Sequence, residues 1–267
     1  MPEVLNHYQL GKGPVDLLLL HGLAADSGFW LPLVSQIEMS KYTIHLLDLK
    51  GHGKSTFHDI NFLPSLLSLE VGEFCERKNL SDYILVCHSY GGRVGLNMLT
   101  SKRSPSAASQ LIILDTYWPE YQERPTLQSV LTRSSEHGHL DPSSNENVPF
   151  SATQSLSMMR ARAQRSNVPV KKKKRAKNLI AWEKIITNKE LCHTIDRQVD
   201  ELVDLNKARK FSTKIKLIYG GDSLFLASGQ QASQQLGLEL HTIPEARHFF
   251  PRFQAMELAK LINDLKV

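Results

Sequence analysis

Long apolar runs are missing from this 267-residue chain. Its densest, Leu17 to Leu20, is far too short to span a bilayer, so no membrane-spanning segment is expected. Cysteine is scarce as well. Cys75, Cys87 and Cys192 are too few and too scattered for a disulfide framework or a zinc site, which points to a reducing compartment. The opening residues Met1 to Gly11 lack a basic patch followed by an apolar stretch, so a secretory signal is not expected and a cytoplasmic location is. No internal repeat is present at any solenoid period.

Charge is nearly balanced outside one region. Of the net +5, the segment from Tyr117 to Lys210 carries 17 Lys and Arg against 11 Asp and Glu, and the remainder carries 15 against 16. The basic run Lys171 to Arg175 lies in this segment without interleaved aromatics. It reads as a solvated loop, and a nucleic-acid partner is not expected.

What the chain does have is a 41% apolar, 22% charged composition, which suits one α/β core or a core with an insertion. Strands are expected at His7 to Leu10, Val15 to Leu20, Thr43 to Leu47, up to Val86, Leu111 to Leu114, Ile215 to Tyr219 and Leu238 to Ile243. Helices are expected at Phe29 to Ile37, Leu63 to Lys78, Arg93 to Leu99, Gln230 to Leu236 and Arg252 to Leu265. Strand and helix alternate, which argues for an α/β fold with a mostly parallel sheet and helices on both faces. Between Tyr117 and Lys210 the alternation stops. Helical stretches are expected there at Thr126 to Arg133, Ala152 to Gln164, Leu179 to Thr187 and Thr194 to Ala208, with no strand. Residues 1–116 and 211–267 therefore read as the core, and 117–210 as an inserted helical cap or lid.

Tyr83 to Gly95 reads as a strand, a tight turn and a helix, with Ser89 on the turn between the small residues Cys87 and Gly91. A serine there stands clear of both elements, as in a nucleophile elbow, although the same residue could serve as a plain helix N-cap. Ligands of an open parallel sheet bind beyond the carboxyl ends of its strands. Ser89, Asp115, Asp222 and His248 each follow a strand, as do Leu23 and His52, so all six converge on one edge. A serine hydroxyl needs a base, and the base an orienting acid. Ser89, His248 and Asp222 can fill those roles, with Asp115 the alternative acid; Asp222 is preferred for the Gly-Gly turn before it. His21 and His52 are expected to bond loop backbone, and His88 to point away from the elbow.

His21-Gly22, Asp48 to Ser55, Cys87 to Gly92, Tyr219 to Asp222 and Ala246 to Pro251 resemble, in order, the signature segments of the α/β-hydrolase superfamily. The chain is similar to its small capped serine esterases and thioesterases, including those acting on pimeloyl-carrier-protein methyl esters. Cys87 departs from the pattern, standing where glycine is usual. The resemblance implies Ser89 as nucleophile, His248 as base and Asp222 as acid, with the Leu23 and Tyr90 backbone N–H groups as the oxyanion hole. It implies hydrolysis of a carboxylic ester or thioester, with no metal or organic cofactor. An acidic acyl carrier protein or coenzyme A could carry the substrate, attracted by Lys171 to Arg175. The alternatives are a catalytically silent binding protein and a carbon–carbon bond hydrolase or lyase on the same scaffold; the oligomeric state stays open.

Overall fold

The computed structural model describes residues 5–55, 59–100, 108–123, 126, 185 and 188–265. Seven strands form one sheet: β1 (His7–Leu10), β2 (Val15–Leu20), β3 (Tyr42–Leu47), β4 (Ile84–His88), β5 (Gln110–Leu114), β6 (Ile215–Gly220) and β7 (Glu239–Ile243). Their spatial order is β1-β3-β2-β4-β5-β6-β7, and every pair is parallel except the β1–β3 edge. The mostly parallel α/β sheet is thus as the alternation of runs implied. From β2 the chain steps outward to β3, then crosses back to place β4 on the other flank of β2. The carboxyl ends of β2 and β4 consequently border the switch point, where such sheets leave a crevice.

The inner strands are nearly unbroken apolar runs because both of their faces are covered. Leu18 and Leu20 of β2 join one core with α2 (Pro64–Arg77), α3 (Tyr90–Thr100) and α6 (Leu226–Leu236). That core also takes Ile195 and Val199 of α4 (Lys189–Val199) and Ala208 of α5 (Leu205–Lys210). Leu17 and Leu19, one residue out of step, join the other core with α1 (Leu31–Val34) and α8 (Ala255–Asn263). Alternate side chains of a strand face opposite ways, so one sequence run feeds both cores.

Helix boundaries differ from the expectation where a side chain or a break intervenes. Asp26 caps a 3₁₀ turn over Ser27–Trp30 by accepting from Gly28 N–H at 2.9 Å, and α1 follows directly. The helix expected at Thr194 to Ala208 is two. α4 is capped by Asn188, and Asp204 caps α5 by accepting from Lys207 N–H at 3.1 Å. The last helix is likewise split, into α7 (Phe250–Phe253) and α8, at Gln254. α3 starts at Tyr90 rather than Arg93, because Gly91 and Gly92 lie inside its first turn. The helices expected at 126–133, 152–164 and 179–187 and the basic run at 171–175 lie wholly or almost wholly outside the described residues.

Both ends of the 117–210 segment are tied to α3. Arg93 of α3 is fully buried and reaches both carboxylate oxygens of Glu120, at 3.3 and 3.0 Å, and the Glu201 carbonyl at 2.7 Å. Glu120 Oε1 also accepts the Val203 N–H at 2.8 Å. A buried ion pair is held better when further hydrogen bonds meet its donors and acceptors, and backbone groups supply two here, although Arg93 Nε has no partner among the described residues.

Candidate active site

Ser89 is the sole residue between β4 and α3, with φ +54°. A non-glycine residue in the left-handed region is strained, and such strain needs surrounding contacts to hold it. Here the next loop supplies them. Ser89 N–H donates to Leu114 O at 2.9 Å, and Thr116 Oγ1 donates to Ser89 O at 2.7 Å. The bend also needs its glycine: a Cβ on Gly91 would sit 2.7 Å from both the Leu20 and His21 carbonyl oxygens. Cys87, standing where the resemblance expects glycine, is fully buried, and the bend forms around it.

Asp115, the residue after β5, is fully buried and also left-handed, with φ +49°. Its Oδ2 accepts His248 Nδ1–H at 2.7 Å and Ser223 Oγ–H at 2.5 Å, and its Oδ1 accepts Gly220 N–H at 3.1 Å. The carboxylate that His248 meets is therefore that of Asp115, the alternative acid, and not that of the preferred Asp222. Asp222 is exposed, and its hydrogen bond runs from its own N–H to Ala246 O at 2.9 Å. The Gly220-Gly221 turn does not present Asp222 to the ring; it aims the Gly220 N–H and the Ser223 hydroxyl at Asp115.

Three residues frame the His248 ring. Phe225 meets it edge-on at 4.9 Å between centroids, Phe249 at 4.9 Å, and His88 at 4.7 Å. His88 Nε2–H donates to the His248 carbonyl at 2.7 Å, so this side chain is turned toward the site rather than away from it. Burial drives the His88 pKa well below the ordinary histidine value, and the neighbouring His248 adds to the effect.

Loops after β2 and β3 complete the rim. His21 Nδ1–H donates to Gly22 O at 2.8 Å, and its Nε2 accepts Leu49 N–H at 3.0 Å. His52 Nδ1–H donates to Lys50 O at 2.7 Å, and its Nε2 accepts Ala24 N–H at 3.0 Å. Burial, and then the neighbouring His21, lower the His52 pKa to about 3, so it stays a neutral acceptor. The Asp48 carboxylate takes Ser27 N–H at 2.7 Å and Lys54 N–H at 2.9 Å, lacing the two loops together. With Ala24 N–H engaged by His52, the adjacent Leu23 N–H has no acceptor among the described residues, and neither has Tyr90 N–H. Gly22 brings this loop against the bend, since a Cβ there would lie 3.1 Å from Ser89 Cβ. No group of three or more metal-ligating side chains occurs among the described residues.

Comparison with known proteins gives the same frame. The sequence model described as the alpha/beta hydrolase family matches residues 17–261. A pimeloyl-[acyl-carrier protein] methyl ester esterase of Stenotrophomonas maltophilia is 49% identical over 45 residues, 17% of each chain. One of Nitrosomonas europaea is 28% identical over 104 residues, 39% of this chain and 38% of the relative. The chain thus aligns with well under half the length of either. An esterase structure from Exiguobacterium antarcticum superposes with a TM-score of 0.68 over 97% of this chain and 93% of the other, at 13% identity, a likeness of fold.

Proposed function

This chain belongs to the alpha/beta hydrolase family, and from that premise we propose that it is a serine hydrolase cleaving a carboxylic ester or thioester through an acyl-enzyme on Ser89. What carries the reading is one arrangement: His248 donates to a buried carboxylate, Asp115, and is bonded through its carbonyl to the residue that precedes a serine held on a strained bend.

In this reading His248 Nε2 removes the Ser89 proton as Oγ attacks the acyl carbon. Asp115 holds Nδ1–H and stabilises the imidazolium that forms. The Leu23 and Tyr90 N–H groups receive the developing oxyanion. Collapse breaks the bond to the alkoxy or thio group, which leaves with the proton from His248. Water then gives a proton to His248 and attacks the acyl carbon, and Ser89 recovers that proton as the acid departs. Phe225 and Phe249 would give the acyl chain an apolar wall, and the segment 117–210 would cover the pocket as a cap.

The reading is tested with a fluorophosphonate probe. Labelling of the wild type at Ser89, abolished in Ser89→Ala and strongly slowed in His248→Ala, supports it; labelling that survives Ser89→Ala rejects it. Turnover of p-nitrophenyl esters of increasing chain length, set against acyl-CoA thioesters, then separates esterase from thioesterase. The carrier-linked substrate in the names of the aligned relatives suggests a carrier-borne acyl group here too. Attraction by the basic segment predicts that added salt slows turnover of a carrier-linked ester but spares that of a neutral one.

A further inference from the structure

After β7 the chain enters α7 by short-range backbone bonds. Phe250 N–H donates to Arg247 O at 2.8 Å, and Arg252 N–H to Phe249 O at 2.9 Å. The bond between them in this series would run from residue 251 to the His248 carbonyl. Residue 251 is proline, which has no N–H to give. The turn therefore does not satisfy the His248 carbonyl by itself, and a carbonyl left unmet beside a buried ring is costly. His88, the last residue of β4, supplies the donor at 2.7 Å.

The bond also fixes the state of the His88 ring. A carbonyl only accepts, so Nε2 carries the hydrogen, and Nδ1 is bare, buried and without a partner among the described residues. The ring is stacked on Phe29 at 4.7 Å and 23°, with Trp30 edge-on at 6.5 Å, so it has little room to turn. His248 is accordingly held twice. Asp115 holds its side chain from the β5 side, and His88 holds its main chain from the residue next to Ser89.

We propose that His88 is a positioning residue, setting the reach of His248 to Ser89 by a single bond from the strand that ends at the nucleophile to the backbone of the base. The inference rests on the Ser89–His248 reading above. A misplacement of about 1 Å between reacting groups lowers rate roughly 100-fold. With the anchor gone, the His248 backbone is released while Ser89 stays on its bend, and the separation between the two is no longer fixed.

Three substitutions separate this role from packing. His88→Phe keeps a ring between Phe29 and His248 but has no donor. His88→Gln loses the ring and keeps an N–H near the Nε2 position, whereas His88→Asn is polar but too short to reach. Positioning predicts kcat for a p-nitrophenyl ester lowered roughly 10- to 100-fold in the Phe and Asn variants, with KM little changed and activity largely recovered in Gln. A second readout, independent of turnover, is the downfield proton resonance of His248 Nδ1–H: sharp in wild type and Gln, broadened or shifted in Phe and Asn. Should His88→Phe fail to fold, the Gln and Asn pair decides alone. Wild-type kcat and an unchanged resonance in His88→Phe, or a Gln variant no better than Asn, would overturn the proposal. A wild-type protein that turns over no ester or thioester rejects the hydrolase reading instead, while the resonance still tests the anchor.

Discussion

Asp115 collects three donors on two oxygens, and this decides which aspartate can serve His248. An asparagine there would turn an amide toward Ser223 or His248 and favour the wrong imidazole tautomer. Asp115→Asn is expected to lower kcat by roughly 10⁴-fold, the scale of the same change in a serine triad. Asp222→Asn, at an exposed carboxylate, is expected to leave kcat at the wild-type level. Ester hydrolysis by the two purified variants checks both. The sequence makes each aspartate visible, since each follows an apolar strand, and either satisfies the order serine, acid, histidine. It does not reveal which turn faces inward, because that depends on Gly220 and Ser223 reaching across from β6 to the end of β5. The role of His88 was hidden for a similar reason. Its partner is a carbonyl 160 residues away. The one local signal was Pro251, which withholds an N–H from the turn after His248.

The strands were legible because both sheet faces are covered, leaving Leu17–Leu20 of β2, Ile84–Cys87 of β4 and Leu111–Leu114 of β5 as unbroken apolar runs. The helices were less so. The helix expected at Thr194 to Ala208 runs through Asp204, whose carboxylate draws the Lys207 N–H to itself and starts a new helix there. At the elbow, Gly-Gly reads as a loop signal yet lies inside α3, because the helix packs so closely on the end of β2 that a side chain cannot fit. Gly91→Ala would place its methyl against two backbone carbonyls that cannot rotate away. The expected result is a loss of about 1–3 kcal/mol, read from urea unfolding, together with slower labelling of Ser89 by the probe.

Acid lability is expected from the buried and half-buried histidines among the described residues. His52 is held at about 3 and His7 at about 4, chiefly by burial, and His88 is also depressed. In the unfolded chain each protonates near its ordinary value. The unfolded state therefore binds more protons once pH drops below that value, and the stability these rings provide, full above about pH 6.5, drains away as pH falls toward the depressed values. His52→Gln can still accept the Ala24 N–H but does not titrate. Between about pH 6 and about pH 4 the variant should lose less stability than the wild type, the slope differing by up to about 1.4 kcal/mol per pH unit, as urea midpoints will show. An equal slope in the two proteins would place the lability elsewhere. At this scale the alternating fold was plain from sequence, while the balance of buried and exposed histidines was not, since burial belongs to the packed assembly and not to any short stretch.

Glu120 and Val203 meet in one hydrogen bond beneath Arg93, so two distant points of the chain are held side by side against α3. Ile195, Val199 and Gln198 dock the returning helix α4 as well, so sequence added ahead of it leaves these anchors on the frame in place. On the proposed reading, the covering segment can then change while Ser89, His248 and Asp115 keep their places.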